Sequence, residues 1–298
     1  MDSLREQWLI LISATTYLII IGIEILLSHI QHRKNYSTKD TLSNIYLMVL
    51  NGSLDLLFRV ISMGILQYFY RRSIIQVHQV IMYWICLLLL EDFMYYWLHR
   101  FDHHIRLFWA VHITHHSSKL MNFTVGFRSS VFQPLYRFVY FIPIAWLGFE
   151  PIDIVFIYAA TQLWGIFVHT ELIYKMGWME YIFVTPSHHR VHHGSNPKYL
   201  DKNMGMFLII WDKIFGSFQA ELDKNEYEPI QYGLTTNIDT RHPLKLVLHE
   251  WESVVQDLFQ PGISFKHRCK YLFGPPGWSH DGSRKTSKQL REIAETKE

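Results

Sequence analysis

The sequence predicts an all-α fold: a multi-pass membrane bundle of about four to five helices with a histidine-rich helical cap on its cytosolic side. Three observations lead there. Long apolar runs recur along the 298 residues. Hydrophobic residues make up 49% and charged residues only 18%, below the roughly 25% charge of soluble domains. The 18 histidines crowd at the ends of the apolar runs, a place where composition alone does not put them.

The first run, Trp8 to Ser28, is about long enough to span a hydrocarbon core. His29, His32, Arg33 and Lys34 follow it in place of a small-residue cleavage site, so it reads as a retained span. Glu24 inside it is expensive in lipid and is expected to face protein. A second run, Leu42 to Tyr70, is interrupted by Asp55 and Arg59, and a third, Val80 to Leu98, carries Glu91 and Asp92 near its end. Val131–Phe149 and Ile152–Val168 read as a hairpin turning at Gly148 and Pro151. Residues 1–78 are thus expected to form N-terminal membrane helices, 79–220 a core with hairpin and cap, and 221–298 a polar C-terminal segment, extended and disordered in part after Gly274-Pro-Pro-Gly277.

An even number of crossings separates the histidine groups, so all are expected on one face. Arg100, Arg106, Lys119, Arg128, Lys175, Arg190, Lys198 and Lys202 mark that face as cytoplasmic, although Arg71 and Arg72 fall on the opposite side. A net charge of +2 with no basic stripe excludes nucleic acid as a partner. Cys86 and Cys269 do not read as a disulfide framework.

Three clusters carry the chemistry: His99-Arg-Phe-Asp-His103-His104, His112-Ile-Thr-His115-His116 and His188-His189-Arg-Val-His192-His193, with His169 between the last two. Histidines four apart share one helix face, so His99 and His103 can grip one ion. Adjacent histidines point about 100° apart and can serve two neighbouring ions. Nine or ten imidazoles are too many for one metal and suit two. Neutral imidazole suits iron, zinc, copper and nickel. Structural zinc sites are closed and commonly use cysteine, and no cysteine lies near a cluster, so redox iron leads and zinc is the substitute. His29, His32, His78, His242, His249, His267 and His280 read as surface residues.

At these residues the sequence resembles the fatty acid hydroxylase and sterol desaturase superfamily of membrane di-iron enzymes. The resemblance rests on His99/His103, His112/His115/His116 and His189/His192/His193, on Asp92 to Arg100 leading into the first box, and on Trp211-Asp212-Lys-Ile-Phe-Gly216. His112 to Ser118 with Asn122 and Arg128, His169-Thr-Glu171, Thr185 to Gly194 and Asp201-Lys-Asn203 look like the alkylglycerol monooxygenase branch. The resemblance implies two irons that activate dioxygen to hydroxylate or desaturate a C–H bond of a sterol, fatty acyl or ether lipid. That branch is expected to have an acidic residue after the first box. This chain has His104, so a pterin reductant and an ether-lipid substrate are not carried over. With no fused haem domain apparent, electrons are expected from an external redox protein or small reductant.

The expected ligands are His99, His103, His112, His115, His116, His169, His189, His192 and His193, with His188 a tenth candidate whose alternative is a hydrogen bond to a neighbour. His104 is expected to orient the others. Ligand histidines need their second nitrogen fixed. Asp92 is the leading supplier, sharing a helical stripe with 96, 99 and 103, ahead of Glu171, Asp201 and Asn203. Trp164, Phe167, Tyr136, Tyr140 and Phe141 are candidates for a lipid channel, and Phe207–Phe218 for an interfacial segment below the site. The rival reading is a histidine-rich membrane metal-binding or transport protein without oxygenase activity.

Overall fold

The computed structural model describes residues 2–75, 78–238 and 242–296, and every regular element among them is helical. Two isolated bridges, Phe183 to Leu208 and Gly194 to Tyr232, are the extended pairings among the described residues. Helices α1 (Asp2–Ile30), α2 (Thr38–Tyr70) and α3 (Val80–His104) come first. Ile105 is extended, and its break separates α3 from α4 (Arg106–His116). Helices α5 (Pro134–Trp146) and α6 (Pro151–Phe167) form the expected hairpin, each opened by a proline that has no N–H to lose there. Gly148 turns between them at φ +100, where a Cβ would sit 2.1 Å from the Ile75 carbonyl oxygen.

Two helices, α2 and α3, are long and apolar enough to cross a membrane, and Thr15–Ile30 and α6 are shorter apolar stretches. Helix α5 is shorter than the sequence suggested. Pro134 sets its start, so Val131–Gln133 form a turn. Its 13 residues rise only about 20 Å, less than a hydrocarbon core. The outer faces of α2 and α3 are apolar: Leu56, Val60 and Ile81 are 68%, 81% and 77% exposed. Unburied side chains of this kind in a continuous band fit lipid better than water.

The apolar core joins Leu66 of α2, Leu87 of α3, Phe141 and Ile144 of α5 and Ile154 of α6. It packs one end of the bundle, because the histidines follow the opposite ends of α3 and α6. Polar ties position that second end. Glu24 is fully buried, as expected, and accepts from Phe123 N at 2.8 Å, Thr170 Oγ1 at 2.5 Å and the Tyr36 hydroxyl. It thereby fixes α1 to the residue beside His169.

The remaining helices are α7 (Pro186–His192), α8 (Ile210–Ile214), α9 (Pro243–Leu258), α10 (Phe265–Phe273) and α11 (Ser287–Glu295). The segment after Gly277 folds where an extended tail was expected. Thr286 caps α11 reciprocally with Gln289, and Arg291 donates to the Leu200 carbonyl at 2.6 Å. Arg106, at the start of α4, is 2% exposed and reaches α9 through Glu250 at 2.8 Å, Asp257 at 2.5 Å and Ser253 at 2.9 Å. Replacing it with alanine leaves Glu250 without its cation and Asp257 with Arg284 alone, at 2.7 Å. Arg106→Ala is expected to destabilise the fold by about 3 kcal/mol or more, seen as a lower thermal midpoint in detergent. An unchanged midpoint would remove α9 as a support of α4.

Candidate metal centre

Nine histidines from four places in the chain converge in two groups. His99, His103, His112, His116 and His192 form one, and His115, His169, His189 and His193 the other. Within each group the facing nitrogens all lie within 4.8 Å of one another. Helical spacing delivers them: His99 and His103 sit one turn apart on α3, and His112 and His116 one turn apart on α4. His115, next to His116, points into the second group, as the 100° step between neighbours requires. His169 lies just beyond α6, and α7 supplies His189 and His192 with His193 at its C-cap.

The outer nitrogens are pinned. His99 Nδ1 donates to the Met204 carbonyl at 2.8 Å, His115 Nδ1 to that of Arg128 at 2.9 Å, His169 Nδ1 to that of Gly165 at 2.6 Å and His192 Nδ1 to that of Lys202 at 3.0 Å. A carbonyl only accepts, so each of these Nδ1 atoms carries the proton and each Nε2 is a bare lone pair. His103 Nδ1 faces Asp201 at 3.4 Å, and His112 Nδ1 faces the Ser130 hydroxyl at 3.0 Å.

The inward nitrogens crowd one another. His169 Nε2 lies 3.4 Å from His115 Nε2, although both have their proton on the far side. His99 and His112 meet Nε2 to Nε2 at 3.1 Å, His116 and His112 at 3.2 Å, His193 and His115 at 3.1 Å, and His189 and His169 at 2.8 Å. His103 Nε2 and His192 Nε2 are buried with no hydrogen-bond partner. The His115 and His169 lone pairs repel unless a cation lies between them, and His103 Nε2 and His192 Nε2 have no other partner, so the donor set fits metal. Two nitrogens each ~2.1 Å from an ion lie about 3.0 Å apart at right angles and about 3.4 Å apart in a tetrahedron. Most of the separations here sit near the right-angled value, which suits an ion with more than four positions.

Burial, and then the neighbouring imidazoles, hold His112, His116, His189, His192 and His193 well below the usual histidine range. Burial brings His115 and His188 down to about 4. These rings are therefore neutral at pH 7, the form that binds metal.

The expected supports are placed differently. Asp92 reaches no histidine. Its carboxylate accepts from Phe207 N at 3.0 Å, Leu208 N at 3.1 Å and Trp211 Nε1 at 2.9 Å. It lies about two turns before His99 on α3, too far for direct contact, and acts on the loop that carries the Met204 carbonyl. Asp212 holds the same loop through Met204 N and Gly205 N, both at 2.7 Å, so Phe207–Phe218 packs against α3 instead of presenting Asp212 to an interface. Asp201 is the one expected carboxylate that faces a histidine. Asn203 ties the His188 carbonyl to Gln219, and Glu171 takes the Tyr232 hydroxyl. His188 stands outside both groups, its Nδ1 turned to Thr185. His104 is exposed and donates to the Arg100 carbonyl. Histidine supports are mostly peptide carbonyls, which no residue pattern marks.

A cavity of about 750 Å³ ends on His99, His112, His115, His169 and His189. Of the expected channel aromatics only Phe141 lines it. Tyr136 donates to buried Asp102 at 2.7 Å, and Trp164 Nε1 to the Val184 carbonyl at 2.7 Å. Residues that composition did not single out, Gln162, Tyr158 and Arg137, line it as well. Arg137 was detectable as a charge inside an apolar run.

The depressed histidines give a pH dependence. The unfolded chain takes up protons near the ordinary value of 6.5, and the folded chain resists until about 4. Stability of the metal-free protein is therefore full above about pH 7 and lost as pH falls through 6.5 toward 4. Between pH 7 and pH 5, His115 and His188 each remove about 2 kcal/mol, roughly 10 °C together. Thermal melts across this range check it, and a flat midpoint would contradict the burial of these rings.

Residues 84–217 match the family model described as fatty acid hydroxylase. The chain is 40% identical over 197 residues to an alkylglycerol monooxygenase of Homo sapiens, covering 65% of this chain and 42% of that protein. It is 31% identical over 133 residues to an ornithine lipid hydroxylase of Rhizobium tropici, covering 44% of this chain and 40% of that one. A Delta(7)-sterol 5(6)-desaturase of Gibberella zeae is 28% identical over 148 residues, covering 47% of this chain and 42% of that one. The chain thus spans about two fifths of the length of these relatives. No solved structure matches it. The matched stretch contains all nine gathered histidines, and over it the chain is similar to the fatty acid hydroxylase family.

Proposed function

We propose that this protein is a membrane-embedded di-iron oxygenase that hydroxylates or desaturates a C–H bond of a lipid, using dioxygen and an external reductant. The observation that carries the reading is the convergence of nine imidazole nitrogens, four of them stripped of protons by backbone carbonyls, beside a cavity that five of the nine rings line. His99, His103, His112, His116 and His192 would hold one iron, and His115, His169, His189 and His193 the other. Two irons bound there would supply the redox chemistry that activates dioxygen against an unreactive C–H bond.

The chain's own residues do the rest. The backbone carbonyls fix ring orientation, so little reorganisation is needed when charge develops. Gly165 lets Met206 pack against α6 one turn before His169: a Cβ there would meet Met206 Sδ at 2.2 Å. The apolar walls exclude water and admit a lipid tail, and the cavity's size falls in the range of small-molecule sites. The names of the relatives, which act on alkylglycerols, a sterol and ornithine lipid, support a lipid substrate. The electron donor is a separate redox protein or a small reductant.

In this reading α1, α2 and α3 with the α5–α6 hairpin make a multi-pass bundle, and the histidine layer lies on the cytoplasmic face. Residues 1–78 serve as the membrane anchor, 79–220 as the catalytic unit, and 221–298 as a brace against α4 and the 200–203 loop.

The protein purified under iron-replete conditions should carry about two irons per chain. His115→Ala and His192→Ala should each lose metal and reduce lipid oxidation by 100-fold or more. Full activity in either variant, or one zinc per chain in place of iron, would overturn the assignment.

A further inference from the structure

Helix α9 is buried on one side only. Leu246, Val247, Val254 and Asp257 face the protein, and Thr114 of α4 donates to the Leu246 carbonyl at 3.2 Å. The opposite side divides lengthwise. Leu244, Leu248, Val255 and Phe259 share one helical stripe, and all but the half-buried Leu248 are exposed. Lys245, Glu252 and Gln256 form an exposed polar stripe beside it. Helix α10 repeats the arrangement: Phe265 and Phe273 are exposed on one stripe, Lys266 and Lys270 on the next. Phe259 and Phe265 flank the turn at Pro261-Gly262 and are 75% and 80% exposed, as bare as Val60 and Ile81 on the outer face of the bundle.

The apolar stripe of α9 continues a surface that fits lipid. Val247 joins Leu47 of α2 in a buried cluster, with Leu50, Leu54 and Leu248 packed around it. Leu57 and Ile61 follow Leu50 and Leu54 on the same stripe of α2 and are exposed. Helix α9 therefore crosses α2 where that stripe passes from protein to lipid. Depth agrees. A hydrocarbon core takes about 20 helical residues, and counting back from Arg71 and Arg72 at the far end of α2 puts its near edge at about residue 51, inside the contact with α9. Charge agrees as well. Glu250 and Asp257 turn inward to Arg106, so the exposed charges of the two helices are Lys245, Lys266 and Lys270 against Glu252. That excess of cations matches anionic headgroups.

We propose that α9 and α10 form an interfacial membrane-binding surface, lying in the plane of an anionic cytosolic leaflet with their apolar stripes in its headgroup–acyl boundary. A surface split lengthwise into apolar and charged halves matches a boundary between oil and water, whereas a protein partner would have to bury the lysines along with the phenylalanines. The leaflet then supports α4, which carries His112, His115 and His116, through α9. The inference rests on α2 and α3 being embedded as proposed above.

The test uses the full chain in phosphatidylcholine vesicles containing phosphatidylserine. Cys86→Ala and Cys269→Ala remove the native thiols, and a nitroxide is attached at single introduced cysteines. Collision with oxygen, which gathers in lipid, is compared with collision with a nickel chelate, which stays in water. Labels at Val255→Cys and Phe259→Cys are expected about 5–10 Å into the boundary, with oxygen-to-nickel ratios severalfold above those at Glu252→Cys and Gln256→Cys. Ratios at Val255→Cys and Phe259→Cys equal to those of the polar stripe would overturn the proposal. So would labels there shielded from both probes, the mark of a second protein chain on the stripe. Omitting phosphatidylserine is expected to move both labels toward water, and unchanged depths would overturn the role of the lysines. If a label on α9 prevents folding, Phe265→Cys gives the same reading from α10. Val60→Cys on α2 keeps the two readings apart: a lipid-exposed label there with water-exposed labels on α9 overturns the α9 surface alone, and a water-exposed label there overturns the embedding itself.

Discussion

Four peptide carbonyls decide which edge each ring turns inward, and the rest of the site depends on that choice. By accepting from Nδ1 of His99, His115, His169 and His192, they remove the tautomer in which Nε2 carries hydrogen. His115 and His169, which face each other, can then no longer bond to each other. A cluster of neutral histidines in an ordinary core would settle into donor–acceptor pairs. Here the backbone forbids it for His115 and His169, and rigid elements hold those rings in place from outside.

Those elements are held in turn by buried carboxylates that never meet a histidine. Asp92 and Asp212 clamp the 204–211 loop from both sides, and that loop presents the Met204 carbonyl. Glu24 fixes the residue after His169. Arg190 grips the carbonyls of Thr170 and Ile173 and the Glu221 carboxylate at 2.6 Å, joining the third box to the chain beyond α6. Each charged group is costly in so apolar a setting unless fully bonded, and each is. The cost is met by several bonds per group.

Much of this was legible in the sequence, and what was hidden has a physical cause. The three boxes, the lone His169 and the ring faces they share follow from helical periodicity, which residue spacing records directly. The hairpin was marked by Gly148 and Pro151. The supports were not legible, because a peptide carbonyl is present at every position and only the fold says which one is aimed at a ring. Asp92 illustrates the limit: the stripe containing 92, 99 and 103 is real, yet the distance along α3 sends its carboxylate to a loop 115 residues away in sequence. The C-terminal region read as a polar segment because α11 buries no side chain and is held by its cap, while the buried apolar stripe of α9, Leu246, Val247 and Val254, is short.

The central claim is that nine histidine nitrogens and no sulfur hold two irons. X-ray absorption at the iron edge of the iron-loaded protein tests it most directly. A first shell made of nitrogen and oxygen alone, averaging more than four such donors per iron, with a second iron close by, is the predicted result. A single four-coordinate ion, or sulfur in the first shell, would contradict it.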